Sequence, residues 1–204
     1  MSEAQRVRTP STEVEGLLLE AADALLEAEG PDSLSVRRIA REAGVAPMGV
    51  YNHFDSKSGI IDALLGRAFD RLHATLEEAR LIADPLEALL DGGRRYRELA
   101  LARPQAYGLM FMRVIPGFEP SDASKHAALR SFGSLLANVE FAVASRAIPD
   151  GDPLVISQAF WAAMHGWVSL ELLEMCFVAD GDAGAEALRR ILIQGLRAEE
   201  PLSS

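Results

Sequence analysis

The chain has 204 residues, 49% of them hydrophobic, and a formal net charge of −10. This length suits one small domain and one larger domain, each with its own core. The acidic balance argues against a general nucleic-acid binder, and the single cysteine excludes an intrachain disulfide, so the sequence favours a protein of the reducing cytoplasm.

Residues 1–10 are expected to form a flexible N-terminal arm. They are polar, carry Arg6 and Arg8, and precede no apolar stretch, so they predict no signal peptide. The two arginines could reach along a DNA groove, although a solvated tail is the commoner state of a terminus. Elsewhere Glu, His or Arg interrupts every apolar stretch before ~20 residues, so no membrane span is predicted.

Residues 11–29 predict the first helix. Thr12 and Glu15 form a capping-box pattern, and the Gly30-Pro31 pair ends the helical pattern. Apolar residues recur along it at helical spacing: Val14, Leu17, Leu18, Ala21, Ala22 and Leu25. We expect this face to cover the back of the two helices that follow.

Residues 36–55 predict a helix-turn-helix. Gly44 ends its first helix, as a left-handed C-terminal position requires, and Pro47 suits the first turn of the second. Apolar residues form one face of the first helix and a short stripe on the second: Val36, Ile39, Ala40, Ala43, Val50, Tyr51 and Phe54. Two helices joined by such a short turn have the geometry that places the second in a DNA major groove.

The segment ends in a Tyr-x-His-Phe-x-x-Lys pattern, which runs from Tyr51 to Lys57. With the Ala43-Gly44-Val45 turn before it, this pattern resembles the DNA-binding domain of the TetR family of transcriptional regulators. The resemblance is close over roughly residues 12–75 and extends further only by helical layout. It implies an all-α fold in which a three-helix DNA-binding domain, residues 11–57, is joined by a long helix to a helical bundle, residues 58–204, that binds an effector and dimerises.

Candidate DNA contacts lie on both motif helices and just after them: Arg37, Arg38, Pro47, Met48, Gly49, Tyr51, Asn52, His53 and Lys57. Proline and methionine can offer apolar contact to thymine methyl groups, and Gly49 could let the backbone approach closely. The resemblance implies that Tyr51, His53 and Lys57 clamp phosphates. For the arginines the alternative is an ordinary solvated face, and for Tyr51 it is partial core packing.

Ser56 is expected to cap a fourth helix that runs to Ala83 and spans on the order of 40 Å. Gly59 should weaken its first turn by about 1 kcal/mol relative to alanine. The resemblance implies that this helix transmits the effector signal. Further helices are predicted over residues 85–102, 105–114, 121 or 124–147, 153–178 and 185–196, with residues 180–184 as a turn.

Large, soft side chains on the middle helices are candidates for an effector pocket, which the resemblance implies: Phe69, His73, Tyr96, Tyr107, Met110, Phe111, Phe132, Phe160, Trp161, Met164 and His165. Aromatic and methionine side chains suit a largely apolar small molecule. Ordinary core packing is the favoured alternative for any one of them. The Trp161-x-x-x-His165-Gly166 run also resembles a TetR subfamily whose C-terminal domain carries a Trp…His-Gly signature.

The 153–178 segment is apolar nearly all round, so it needs cover on nearly all sides. A second copy of the chain would supply that cover, and with the 185–196 helix it would form a four-helix dimer interface. The expected interface residues are Gly166, Leu170, Leu173, Leu188, Ile191 and Leu192.

No catalytic or metal-binding pattern is found in the sequence. The four histidines have no ligand spacing, and neither a phosphate loop nor a nucleophile elbow is present, so we expect no metal, no cofactor and no enzymatic activity. The sequence therefore favours a cytoplasmic, ligand-responsive homodimeric repressor that binds a pseudo-palindromic double-stranded operator. An activator of the same fold, a helical ligand-binding protein with a vestigial DNA-binding domain and a small helical enzyme stay open as alternatives.

Overall fold

The computed structural model describes residues 11–197, which are predominantly helical and contain no strand. The all-α prediction is confirmed, and the predicted N-terminal arm lies outside the described residues. Besides a 3₁₀ turn at Pro31–Ser33, the helices are α1 Ser11–Glu29, α2 Val36–Glu42, α3 Met48–Phe54, α4 Lys57–Ala79, α5 Pro85–Ala102, α6 Pro104–Phe111, α7 Asp122–Ala144, α8 Pro153–Leu172 and α9 Gly181–Arg197. Among these helices none is both long enough and apolar enough to cross a membrane.

The described chain divides into two compact units. The first contains residues 11–68 and 105–124, and the second contains residues 69–104 and 125–197. The helix-turn-helix therefore lies in the first unit, whereas α5, α8 and α9 lie in the second. The functional boundary expected at residue 57 stays a prediction.

In the first unit, α1 packs on α2 and α3 as its apolar stripe predicts. Their shared core consists of Leu18, Ala22, Leu26, Ile39, Ala40 and Val50, all almost completely buried. The Ser35 hydroxyl accepts a hydrogen bond from the Arg38 amide at 3.3 Å and caps α2. Gly44 has φ +67°, and the Val45 amide donates to the Ala40 carbonyl at 2.9 Å, so the predicted left-handed helix end is confirmed.

The beginnings of α3 and α4 each differ from the sequence expectation at one position. Pro47 is the residue before α3, which begins at Met48. Ser56 does cap α4, since the Gly59 amide donates to its hydroxyl at 3.1 Å. Gly59, however, is not a weak point: a Cβ there would lie 1.9 Å from the Phe54 carbonyl oxygen, so the junction requires glycine.

Two carboxylates fix the 105–124 segment within the first unit. Glu27 of α1 accepts hydrogen bonds from the amides of Gln105 and Ala106, at 3.4 and 2.9 Å, in the first turn of α6. Asp62 of α4 accepts from both the amide and the hydroxyl of Ser121, at 2.8 and 2.6 Å, just before α7. Because each carboxylate satisfies amides that lack an intrahelical partner, these bonds hold the beginnings of α6 and α7 in place.

In the second unit, α5 and α9 both pack against α8, and Arg97 of α5 links the three helices. Its guanidinium donates to Glu171 of α8 through Nε at 2.7 Å and Nη2 at 2.5 Å. It also donates to Asp182 of α9 at 2.7 Å. The hydrogen bonds to Glu171, and then the one to Asp182, raise the pKa of Arg97 despite its burial. The buried cation is therefore paired, which is the condition under which such a charge is tolerated.

Helix α8 is shorter than predicted, because it ends at Leu172 and not at Val178. Glu174 adopts φ +56°, the Met175 amide donates to the Leu170 carbonyl at 2.8 Å, and the Glu174 amide donates to the Glu171 carbonyl at 3.1 Å. This is a Schellman termination with glutamate where glycine is usual. No glycine or proline marks the end in the sequence, so the apolar pattern alone extended the helix too far.

Other helix ends also differ from the prediction, and among them α6 ends at Phe111 and not at Val114. Helix α7 ends at Ala144 and not Ala147, because Arg146 at φ +57° forms the same type of termination. Helix α4 ends at Ala79 and not Ala83, and its 23 residues span about 35 Å. Helix α9 begins at Gly181 and not Ala185, because Asp180 accepts hydrogen bonds from the amides of residues 182 and 183, each at 3.0 Å.

Candidate DNA-binding surface and effector-binding region

Helix α3 has one buried face and one exposed face. Val50 and Phe54 are buried in the first unit. On the opposite side Pro47, Tyr51 and Asn52 are exposed, and Met48 is 64% exposed. An apolar side chain so open to solvent contributes little to the fold, so this face is available for a partner.

Gly49 does not belong to the exposed face, contrary to the sequence expectation. A Cβ at this position would lie 3.6 Å from Val45, 3.8 Å from Val14 and 3.9 Å from Leu18. The residue therefore turns towards α1, where its small size permits close packing of α3. The role of Gly49 as a DNA contact stays a prediction.

The helix-turn-helix and the start of α4 carry exposed cations that form no ion pair among the described residues. Among residues 11–197, Arg37, Arg41 and Lys57 are exposed and have no carboxylate partner. Arg38 differs, because its guanidinium pairs with Glu29 at the end of α1. This ion pair competes with any phosphate contact of Arg38. The sequence did not reveal the pair, because the two residues lie on different helices.

His53 lies half-buried in the last turn of α3, and the exposed Tyr51 lies two residues before it. Asp55 follows at φ +60° and is exposed, so one negative charge lies within this otherwise polar and basic stretch. The roles assigned to Tyr51, His53 and Lys57 as phosphate contacts stay predictions.

The second unit brings four of the predicted pocket residues together. The Trp161 indole Nε1 donates to the Tyr96 hydroxyl at 3.3 Å, and that hydroxyl is also 3.3 Å from His165 Nδ1. Phe132 packs edge-on against Trp161 with ring centroids 6.0 Å apart. Burial lowers the pKa of His165, which favours a neutral ring whose Nδ1 accepts a hydrogen bond from the Tyr96 hydroxyl.

The remaining predicted pocket residues are distributed over both units. Phe69, Phe160 and Met164 are buried in the second unit. Three others belong to the first unit, where the buried ring of Tyr107 meets Phe111 with centroids 5.0 Å apart: Tyr107, Met110 and Phe111. Their roles in effector binding stay predictions.

His73, a predicted pocket residue, takes part in a polar chain that sequence reasoning missed. Ser134 Oγ donates to Glu77 at 2.7 Å and lies 2.8 Å from His73 Nδ1, so the histidine nitrogen must be the donor to the hydroxyl. The hydrogen bond from Ser134, followed by that from Arg80, lowers the pKa of Glu77. The i, i+4 spacing of residues 73 and 77 was visible in the sequence, but their shared partner on α7 was not.

An uncharged surface covers the outer side of α8. No exposed residue of α8 is charged, and its one acidic residue, Glu171, pairs with Arg97. A Cβ added at Gly166 would have no atom within 4 Å. Of the other predicted dimer residues, Leu170, Leu173 and Ile191 are exposed, and Leu188 and Leu192 are half-buried. Their role in a dimer stays a prediction.

Residues 11–197 contain no group of three or more His, Cys, Asp or Glu side chains that could hold a metal ion. The exposed face of α3 and the residues around the helix-turn-helix offer apolar groups, hydrogen-bond donors and cations. A helix-turn-helix with an exposed second helix and adjacent unpaired cations, followed by a helical bundle, defines a DNA-binding regulator of the helix-turn-helix class.

Comparison with known proteins agrees with this class. Residues 18–64 match the family described as bacterial regulatory proteins, tetR family, and residues 89–194 match the tetracyclin repressor-like C-terminal domain. The chain belongs to the TetR family of bacterial transcriptional regulators. The further resemblance to a Trp…His-Gly subfamily stays a prediction.

Individual relatives support this assignment over most of the chain. An uncharacterized HTH-type transcriptional regulator of Mycobacterium tuberculosis, Rv0681, is 27% identical over 81% of this chain and 73% of its own length. The HTH-type transcriptional repressor KstR of Mycolicibacterium smegmatis is 29% identical over 82% of this chain and 80% of its own. A solved structure from Rhodococcus sp. RHA1, of unknown function, has a TM-score of 0.83 and 28% identity over 96% of this chain and 100% of its own.

Proposed function

We propose that this regulator is a homodimeric repressor that binds a pseudo-palindromic operator and is released by a small molecule. The observation that carries the proposal is the exposed face of α3, where Met48, Tyr51 and Asn52 lie beside cations that have no carboxylate partner. Similarity to a protein named as a repressor, KstR, supports repression over activation. Two-fold symmetry of the dimer accounts for a pseudo-palindromic site.

In this proposal the DNA contacts divide into two groups. Lys57, Arg37 and the donors of Tyr51 and His53 bind phosphate oxygens and set the position of the protein on the duplex. Pro47 and Met48 pack against thymine methyl groups, and Asn52 can bond an adenine edge or a phosphate. Sequence preference then depends on the side chains of Pro47, Met48 and Asn52. We therefore expect the protein to distinguish only a short run of base pairs in each half-site.

The uncharged outer face of α8, with Ile191 of α9, forms the dimer interface. Both the absence of exposed charge on α8 and the open space around Gly166 support this assignment, since interface centres are depleted of charge and small residues permit close helix approach. A stable interface of this kind buries about 800 Å² on each partner.

The effector is a largely apolar molecule that binds in the second unit near Tyr96, Phe132 and Trp161. The aromatic rings provide apolar contact, and the Tyr96–Trp161–His165 hydrogen bonds provide a polar group that could orient a ligand. Binding would act through α4 and would release DNA only if the effector prefers the conformation that cannot bind the operator. Such a protein acts on DNA in the cytoplasm and performs no catalysis.

Fluorescence anisotropy on the DNA that flanks the coding region of the protein, measured across a salt series, tests this proposal. We expect saturable binding to one short pseudo-palindrome that weakens as salt rises. Binding no tighter than to an unrelated duplex of equal length, both there and on a duplex library with a randomised centre, would contradict operator recognition. Met48→Ala should change the sequences selected from that library more than it changes the overall affinity.

A further inference from the structure

The connection between α8 and α9 displays apolar side chains to solvent. Leu173, Met175 and Val178 each have half or more of their surface exposed, and Phe177 is 103% exposed. The chain carries a net charge of −10, yet the only charged residue between positions 173 and 178 is Glu174. A fully exposed phenylalanine gains nothing from the fold of its own protomer, so its contact must come from elsewhere.

This 173–178 segment is fixed at both ends. At its start, the Met175 amide bonds to the Leu170 carbonyl at 2.8 Å and ties the turn at Glu174 to α8. After its end, the Asp180 carboxylate caps α9. Near its end, a Cβ at Gly184 would lie 2.3 Å from the Trp167 ring and 3.1 Å from Val178, so these three residues pack closely. The apolar side chains are thus presented on an anchored backbone.

The segment also continues the uncharged face of α8. Leu170 is exposed in the last turn of that helix, Leu173 follows it, and the segment then leads into α9, where Ile191 is exposed. Along the chain, exposed apolar residues therefore continue from α8 past the helix end, interrupted only by Glu174. A partner surface that covers the α8 face therefore lies near enough along the chain to cover the 173–178 segment as well.

We propose that the 173–178 segment extends the dimer interface and that Phe177 packs against the partner subunit. The occupant is a second copy of this chain, because the segment continues the face that we assign to dimerisation. A buried phenylalanine contributes about 200 Å², roughly a quarter of the 800 Å² that a standard interface buries on each partner. In a two-fold dimer this contact occurs twice, so loss of the ring acts twice on the dissociation constant.

This inference rests on the proposed homodimer, and sedimentation equilibrium of the full chain separates the two. Phe177→Ser is compared with the matched variant Phe141→Ser, which removes a 46% exposed phenylalanine from α7. We expect the dimer dissociation constant to rise about thirtyfold or more for Phe177→Ser, as for an interface hot spot, and to stay within about twofold for Phe141→Ser. Urea unfolding at a concentration where the wild-type chain and Phe177→Ser are both monomeric should show equal stability of the two proteins.

A photocrosslinking amino acid, p-benzoylphenylalanine, introduced in place of Phe177 provides a second readout. Irradiation of the dimer should yield a covalent dimer whose crosslinked peptides come from two chains, as a mixture of isotopically labelled and unlabelled protein would show. The inference is overturned if the wild-type chain is dimeric while Phe177→Ser leaves its dissociation constant unchanged. A wild-type chain that stays monomeric would overturn the dimer itself, and Phe177-dependent binding to phosphatidylcholine vesicles with unchanged dimerisation would assign the segment to a lipid surface.

Discussion

Both α3 and α8 expose apolar side chains, but the chemistry around those side chains differs. Met48 of α3 shares its helix with the exposed Tyr51 and Asn52, and residues 34–57 carry a net charge of +2. Arg37, Arg41 and Lys57 form no ion pair within residues 11–197. The exposed face of α8 contains no charged residue, and its one acid pairs internally with Arg97. Exposure alone therefore does not identify a partner.

The charge beside an exposed apolar group indicates the class of partner. Phosphate contacts supply most of the affinity for DNA and need cations and donors around the reading side chains. An interface with an apolar protein surface needs a centre without charge, because a buried unpaired charge is costly. The two surfaces should accordingly respond in different ways to mutation and to salt.

The largest expected effect concerns the scaffold of the α3 surface. Gly59→Ala places a Cβ 1.9 Å from the Phe54 carbonyl oxygen, so the backbone must move. We expect a loss of about 3 kcal/mol or more in the free energy of unfolding, measured in urea, together with loss of DNA binding. Gly16→Ala in α1, where an added Cβ meets no atom within 4 Å, is the matched control and should be neutral or stabilising. A stable Gly59→Ala variant with full DNA affinity would contradict the junction geometry.

The next largest effect concerns the α8 surface, where Gly166→Leu should weaken dimerisation. An isolated protomer has space for this side chain. A dimer in which helices approach closely at Gly166 has no such space. We expect the dimer to weaken about thirtyfold or more with unchanged stability of the monomer, measured by sedimentation equilibrium and urea unfolding. Gly133→Leu on α7, which is equally open in the protomer, should leave dimerisation unaltered. Equal dimer constants for both variants would remove Gly166 from the interface.

The contribution of the cations near α3 to DNA affinity should depend on the salt concentration. Lys57→Ala should weaken binding to specific and unrelated DNA alike, by about tenfold at low salt, and should lower the slope of log affinity against log salt by about one unit. Lys125, the only other lysine, provides the control, since Lys125→Ala on α7 should leave the slope unchanged. An unaltered slope for Lys57→Ala would exclude a phosphate contact.

The end of α8 offers a smaller effect of opposite sign. Glu174 occupies the left-handed region at φ +56°, where a glycine avoids the steric cost of the Cβ. Glu174→Gly should raise the free energy of unfolding by about 0.5–1 kcal/mol, whereas Glu140→Gly within α7 should lower it by about 1 kcal/mol. Destabilisation by both substitutions in urea would show that Glu174 does not have this backbone conformation.

The smallest effect concerns Glu29, which neutralises Arg38 beside the reading surface. Glu29→Gln should release the arginine and tighten DNA binding by about twofold, because one more cation becomes available for a phosphate. Combined with Arg38→Ala, the same substitution should have no further effect. A gain that persists in the double variant would place the effect of Glu29 elsewhere.

Helix ends were predicted most accurately from the sequence where a residue type has one usual effect on the local backbone. Gly44, Ser35 and Pro85 mark helix ends through backbone conformation or capping, and the structure has those ends where expected. The ends at Arg146 and Glu174 were missed because neither residue type normally signals a left-handed turn. Local rules therefore fixed the core of the helix-turn-helix better than the lengths of the bundle helices.

The candidate site was predictable to the extent that it depends on one helix face. The exposure of Met48 and Tyr51 follows from the burial of Val50 and Phe54. The Arg38–Glu29 pair and the inward orientation of Gly49 depend on the packing of α1, which no local pattern contains. Likewise, Tyr96 and Trp161 are 65 positions apart, and only the fold brings them together.

The positions of the tryptophans have a spectroscopic consequence. The chain contains two tryptophans, and both lie on α8, at positions 161 and 167. Intrinsic tryptophan fluorescence of this regulator therefore reports on one helix, while the DNA-reading helix contributes no indole signal. Excitation at the red edge of the indole absorption would thus monitor the helix assigned to both effector binding and dimerisation in the unlabelled wild-type protein, independently of a dye placed on DNA.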